Sequence, residues 1–255
     1  MDLGFEGKVA LVTGASSGLG IAIADAFAQN GVAGLGAHYH RGEQAALEVR
    51  ERARQAGAVA AVFGADLSAP GAAERLVAAT LKHFGRVDIL VNNAGAMVER
   101  SSIPEASDEL FDQILNLNYR AVFATCRAVV PVMQRQGGGA IVNISSSAAR
   151  NGGAGGSVLY AAAKGAVSTF TRGLAAELAR DHIRVNVVGP GLFDTPFHHV
   201  VTPPEQLKRI EATIPLGRAG RPEECAGPVL FLASEKMASY ITGQSLEVNG
   251  GRLMP

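Results

Sequence analysis

The chain reads as an α/β protein: a single-domain, Rossmann-like, doubly wound parallel sheet of about seven strands with helices on both faces. Three observations predict this. Short apolar runs alternate with helix-like segments from end to end, the pattern of βαβ units joined by right-handed crossovers. The first apolar run leads straight into the glycine-rich turn Gly14-Ala15-Ser16-Ser17-Gly18-Leu19-Gly20, which opens a helical pattern. And 255 residues pass without a linker, repeat or low-complexity tract, so one large domain, residues 1–255, accounts for the whole.

Taken in order, Lys8 to Thr13 is short and apolar enough for a central strand buried on both faces. The helical pattern from Ile21 to Ala28 is stopped by Asn30-Gly31. Between them the glycines let the backbone approach a pyrophosphate, whose charge a helix N-terminus favours. Gly14, Ser16, Ser17, Gly18, Leu19 and Gly20 are therefore candidate nucleotide-binding residues. Val32 to Tyr39 reads as a second strand, Glu43 to Gln55 as a helix, Val59 to Phe63 as a third strand leading to Asp66-Leu67, and Ala72 to Phe84 as a helix. Val87 to Val91 is a fourth strand, closed by Asn92-Asn93-Ala94-Gly95. Ligands of such sheets bind beyond the carboxyl ends of the strands, where Gly14, Tyr39, Asp66 and Asn92 all fall.

Ser107 to Met133 reads as one long helix whose apolar residues, among them Phe111, Ile114, Val122 and Phe123, spread around most of its circumference. Such a helix buries two faces, one on the sheet and one on another subunit, so a homo-oligomer, tetramer or dimer, is expected. Ala140 to Ile144 is a fifth strand with Ser145-Ser146-Ser147 at its polar end, and an Ala-rich helix runs from Tyr160 through Leu178. Arg184 to Val188 is a sixth strand, broken by Gly189-Pro190-Gly191, and Ser245 to Val248 a seventh. Leu192 to Pro215 is poorly patterned and rich in proline, histidine and threonine, as a lid or substrate loop would be.

Composition excludes several classes. Lysine plus arginine and aspartate plus glutamate are equal at 23 each, with no basic stripe to suggest nucleic acid. The two cysteines, Cys126 and Cys225, sit in apolar helical stretches with no metal-ligand spacing, and are read as buried thiols of a reduced interior; no metal is expected. The acidic start lacks a signal-peptide pattern and no apolar run reaches the roughly 20 residues of a membrane span, so a soluble, cytoplasmic protein is expected.

Tyr160 and Lys164 are four apart, which on a helix sets the phenol and the ammonium on one face. A free phenol, at a pKa of about 10, trades protons poorly near neutrality. A cation roughly 4 Å away at an effective dielectric of about 20 favours the phenolate by about 4 kcal/mol, equivalent to about three pH units. On spacing alone, the pair is equally an ordinary helix surface.

The ordered set Thr13-Gly14-x-x-x-Gly18-x-Gly20, Asp66, Asn92-Asn93-Ala94-Gly95, Asn118, a serine after the fifth strand, Tyr160-x-x-x-Lys164 and Pro190-Gly191 resembles the short-chain dehydrogenase/reductase family over nearly the whole chain. The resemblance implies an oxidoreductase that interconverts a ketone and a secondary alcohol. In that family the tyrosine is the general acid/base and the lysine lowers its pKa and holds the nicotinamide ribose. The serine hydrogen-bonds the substrate carbonyl, and an asparagine, here Asn118, anchors a water of the proton relay. Asn93, Ala94, Gly95, Pro190 and Gly191 are implied cofactor contacts, with Thr195 at the carboxamide, Asp66 at the adenine amino group and Leu67 beside the ring. Asn92 is implied mainly as a brace of its strand. Counting from the fifth strand places the serine at Ser146, and counting back from Tyr160 places it at Ser147. A strand end cannot slip by one residue without reversing its faces, so Ser146 is preferred.

The cofactor expectation favours NADP(H) and leaves NAD(H) open. An acid at the end of the second strand would bind the adenosine ribose of NAD, whereas here the chain reads His38-Tyr39-His40-Arg41, and Arg41 with His40 suits a 2′-phosphate. One departure from the family pattern is Ser17, where many NADP-dependent members carry a basic residue. For the substrate, the resemblance includes 3-oxoacyl-carrier-protein reductases, for which Arg100, Arg150 and Arg209 are scattered basic candidates. It also includes sugar or polyol dehydrogenases, for which His198, His199 and Thr202 offer polar groups in the lid. A non-catalytic dinucleotide-binding sensor or scaffold is the rival from another class.

Overall fold

The computed structural model describes residues 2–153, 155–197 and 202–254. Seven strands form one parallel sheet in the order β3-β2-β1-β4-β5-β6-β7. They are β1 (Val9–Val12), β2 (Gly34–Tyr39), β3 (Val59–Gly64), β4 (Ile89–Asn92), β5 (Gly139–Ile144), β6 (Ile183–Pro190) and β7 (Ser245–Val248). The order reverses between β1 and β4, and that switch point opens a crevice at the carboxyl edge.

Side-chain alternation divides the core in two. Ala10 and Val12 of β1, with Ala140, Val142 and Ile144 of β5, face one layer. There they meet helix α1 (Gly18–Gln29), helix α2 (Glu43–Gln55) and a late helix, Pro222–Ala233. Leu11, Leu90, Ile141 and Val185 face the other layer, against α3 (Ala72–Phe84), α5 (Ala121–Gln136) and α7 (Val158–Leu178). Strands buried on both faces read as continuous apolar runs, which is how β1 and β4 were legible. Both cysteines are buried within these layers. Among the described residues no helix is long and apolar enough to cross a membrane.

Two expectations are corrected and one gains detail. The long helical segment after β4 is continuous, α4 (Asp108–Leu115) running into α5 through one wide turn over Asn116–Arg120 in which the Ala121 amide donates to Asn116 O, five residues back. Extra width in a helix is set by tertiary packing, so apolar spacing does not reveal it. Gly189 and Pro190 do not break β6: both remain in the strand, paired with Glu247 and Val248 of β7. The stretch Leu192 to Pro215 is not uniformly irregular, because Pro204–Glu211 forms a helix, α8, with proline at its start.

Candidate active site

The carboxyl edge opens into a cavity of about 990 Å³. The glycine turn forms one wall. Gly14 has φ +66°, and a Cβ on it would sit 3.0 Å from the Ala94 Cα, so only glycine lets β1 and β4 converge there. A Cβ on Gly20 would lie 2.0 Å from Gly14 O; Gly20 packs beneath the turn and does not line the cavity. Thr13 ties the strand ends together, its hydroxyl accepting from the Asn93 and Ala94 amides at 3.0 Å and donating to Val91 O. The Asn93 side chain returns two bonds, to Thr13 O and Gly14 O.

Gly14, Ser16, Ser17, Gly18, Leu19, His40, Arg41, Asp66, Leu67, Asn93, Ala94, Gly95, Pro190, Gly191 and Thr195 all line this space, together with Ser146, Tyr160 and Lys164. Tyr39 does not. Alternation along β2 turns it to the face opposite His38 and His40, where its ring lies over Gly64 and its hydroxyl bonds Glu43. Asp66 accepts from the Ser68 amide and hydroxyl, which holds its carboxyl below the usual range. Thr195 packs on the glycine turn, within 3.2 Å of where a Gly18 Cβ would stand. Two residues that sequence reasoning did not assign to the site contribute: Thr13, described above, and His38, whose Nδ1 lies 3.1 Å from the Gly14 amide. The available signal for His38 was a polar residue at an inward strand position.

At the far end, Tyr160 stands in the first turn of α7, and its hydroxyl bonds that of Ser146, not Ser147. The three serines all border the cavity and differ in their bonds. Ser145 donates to Lys164 O at 2.8 Å; Ser146 bonds Tyr160 and caps the Ala148 amide at the start of a short helix, α6 (Ala148–Asn151); the Ser147 amide donates to Pro190 O. The Tyr160 ring meets that of Phe197 at 5.8 Å.

The electrostatics depart from the spacing argument. Lys164 Nζ lies 5.9 Å from the centre of the Tyr160 ring and donates to Ile144 O at 2.8 Å. Burial pushes the phenol up to about 12, with the Ser146 bond acting in the opposite direction, and pushes the Lys164 ammonium down to about 8. With both groups almost fully buried, the cost of stripping water from each charged form outweighs their mutual attraction. The protein alone therefore holds Tyr160 as a protonated donor.

Asn118 sits in the wide turn between α4 and α5. Its Nδ2 donates to Ala96 O at 2.7 Å and to Ile114 O at 2.9 Å, while its buried Oδ1 finds no hydrogen-bond partner among the described residues. That oxygen and Lys164 Nζ flank one spot beside Gly95, at 2.7 Å and 3.1 Å from where a Gly95 Cβ would stand. Asn92 lies deeper and braces the sheet, donating to Asn143 Oδ1 at 2.9 Å and accepting from the Thr125 hydroxyl at 2.6 Å.

Met97, Val98, Phe197 and Ile210 give part of the cavity an apolar lining, with Arg100, Gln113, Asn151 and Gln206 interspersed. Val98 has φ +64° at the centre of a tight turn closed by the Glu99 amide on Met97 O, a costly conformation for a β-branched residue. Arg100 donates to Gly155 O and Thr202 Oγ1. Arg150 pairs with Glu247, and Arg209 is exposed on α8. His198 and His199 lie outside the described residues.

A family model described as enoyl-(acyl carrier protein) reductase matches residues 14–252. The chain is 40% identical to a bovine protein named dehydrogenase/reductase SDR family member 4, over 97% of this chain and 88% of that one. It is also 40% identical to a 3alpha-hydroxysteroid dehydrogenase of Mediterraneibacter gnavus, over 98% of each. Among solved structures, a 7 alpha-hydroxysteroid dehydrogenase complexed with NADH and 7-oxo glycochenodeoxycholic acid superposes with a TM-score of 0.91 at 33% identity, over 98% of this chain and 96% of that one. An NADH-dependent reductase responsible for alginate metabolism does so with the same score and identity, over 99% and 100%. A match of this extent in sequence and in the arrangement of seven parallel strands makes the chain a member of the short-chain dehydrogenase/reductase family of oxidoreductases.

Proposed function

We propose that the protein interconverts a ketone and a secondary alcohol using a nicotinamide dinucleotide, with NADP(H) preferred over NAD(H). The observation that carries this reading is the buried Tyr160 hydroxyl, bonded to Ser146 inside the same cavity that the glycine turn enters. The cavity fits a dinucleotide: Gly14 and Gly18 leave room that a Cβ would fill, and the unpartnered Asn118 oxygen calls for a polar guest.

When bound, the nicotinamide supplies hydride to the carbonyl carbon or takes it from the alcohol carbon. Tyr160, protonated at neutral pH, donates to the carbonyl oxygen, and the Ser146 hydroxyl holds that oxygen in line. Lys164, fixed on Ile144 O, would hold the cofactor ribose with its remaining N–H groups. The bare Asn118 oxygen beside it accepts a water that returns the proton from solvent. Gly14, Ser16, Ser17, Gly18 and Leu19 would hold the pyrophosphate at the start of α1; Asp66 and Leu67 would receive the adenine; Asn93, Ala94, Gly95, Pro190, Gly191 and Thr195 would hold the nicotinamide half. Arg41 and His40 line the cavity beside Asp66 and would meet a 2′-phosphate there, which supports NADP(H), although one solved relative is an NADH-dependent reductase and another is complexed with NADH.

For the substrate, a largely apolar lining with a few polar groups suits a compact ketone with an apolar body, a class that includes oxoacyl thioesters and steroid ketones. The relatives named for hydroxysteroids support the second. Phe111 and Phe123, left about half exposed on α4 and α5, support a homo-oligomer.

The test follows absorbance at the reduced-nicotinamide band across ketones, alcohols, sugar acids and oxoacyl thioesters, for the parent and Tyr160→Phe. The variant is expected to bind cofactor as before and to lose most turnover. Near-normal turnover would refute the tyrosine's role. Cofactor binding with no turnover of any substrate by the parent would favour a sensor or scaffold.

A further inference from the structure

His38 carries a task that the chemistry above does not use. The residue is 2% exposed, and both ring nitrogens have fixed partners. Nδ1 faces the Gly14 amide at 3.1 Å and Nε2 faces Ala65 O at 3.0 Å. An amide can only donate and a carbonyl can only accept, so Nδ1 carries a lone pair and Nε2 the hydrogen. The backbone of the same residue acts in concert, since His38 O accepts from the Ala15 amide at 2.8 Å. One residue thus holds the first two amides of the glycine turn while its other edge grips the peptide just before Asp66.

We propose that His38, as the neutral Nε2–H tautomer, is a positioning residue for dinucleotide binding: it sets the spacing between the turn expected to take the pyrophosphate and the Asp66 loop expected to take the adenine. The inference rests on the cofactor reading above. Protonating the ring would place a second N–H against the Gly14 amide and break that bond. Burial is the largest influence on the ring and lowers its pKa, opposed by the bond to Ala65 and reinforced by His40. The neutral form therefore persists until the pH falls below the ordinary histidine range. The other titratable or charged groups nearby are His40 and Arg41, which follow β2, and Asp66, which follows β3 and lies 3.9 Å from His40.

The experiment is calorimetric titration with ADP-ribose, which carries the adenosine and pyrophosphate but no redox group and no 2′-phosphate, from about pH 5 to 8. Four variants separate the possibilities. His38→Asn keeps an acceptor at the Nδ1 position and removes the titration; His38→Gln reaches Ala65 and abandons Gly14; His38→Leu removes both bonds; His40→Asn isolates the exposed histidine. The parent should lose affinity on acidification, and His40→Asn should lose it likewise. His38→Asn should bind within about threefold of the parent at pH 8 and show a flattened acid limb. His38→Gln and His38→Leu should bind about tenfold or more weakly, the cost of leaving a buried amide without an acceptor. Equal affinity and an unchanged profile in His38→Gln or His38→Leu would overturn the inference, as would a loss in His38→Asn matching that in His38→Gln. A parent that binds neither ADP-ribose nor NADPH would instead sink the cofactor reading itself.

Discussion

Replacing Lys164 with methionine removes a buried cation while roughly keeping the length of its apolar stem, and the consequence for stability has a definite sign. The lysine is 3% exposed, and burial moves it from an ordinary 10.5 down to about 8. Between those values the unfolded chain holds one more proton than the folded chain, so this group makes the parent more stable as pH rises through that window. Below it the full desolvation cost is present in the fold. From pH 7 to pH 10 the parent should therefore gain about 2.5 kcal/mol relative to Lys164→Met. Tyr160 and the two cysteines, all pushed up to about 12, act in the opposite direction in alkali, but both proteins contain them and their effect cancels in the difference. A neutral lysine can still donate to Ile144 O, so that bond does not reverse the trend. The chain has no tryptophan, so urea unfolding followed by far-UV circular dichroism at the two pH values is the suitable assay. A stability difference that stays constant between pH 7 and pH 10, or moves toward the variant, would refute the claim that the ammonium is held in a dry site.

Gly20→Ala would press a methyl against Gly14 O, where neither backbone has room to move, and should cost about 3 kcal/mol or more with loss of nucleotide binding; an unchanged melting temperature would contradict the packing described. Val98→Gly relieves a positive φ on a branched residue and should stabilise the fold by about 1 kcal/mol while raising KM for the ketone, because its side chain lines the cavity. A drop in stability on thermal melting would show that the turn is not strained. Arg41→Ala should raise KM for NADPH by about tenfold or more and leave that for NADH nearly unchanged; a parent that already prefers NADH would overturn the NADP(H) assignment.

The body of each strand was legible because a strand buried on both faces must be apolar throughout, as Val9–Val12 and Ile89–Asn92 largely are. The glycine turn was legible from its place between a strand and a helix, whereas the roles of Asn118, Ser146 and Thr195 came only from family resemblance. What escaped has physical causes. The width of the turn holding Asn118 depends on what packs around it. Gly189 and Pro190 stay in β6 because their neighbour, β7, is the edge strand and pairing continues along that side. Helix α8 has only one face against the protein, so its sequence is too polar to announce itself. Direct summation of charge between Tyr160 and Lys164 gave the wrong direction for the protein alone because it left out the energy of drying both groups.

The wide turn at Asn116–Arg120 also governs how this region can tolerate change. One additional residue in a helical coil rotates everything beyond it by about 100°, so α4 and α5 run out of phase although they form one uninterrupted helical run. That offset lets Ile114 pack with Met97 and Tyr160 while Val122 and Cys126 face the sheet, with Asn118 at the splice. Substitutions on either side can be absorbed locally. A deletion or insertion of a single residue cannot, because restoring regular winding would swing one half of the crankshaft off its bearing, taking either the Asn118 oxygen away from Lys164 or the apolar stripe out of the core.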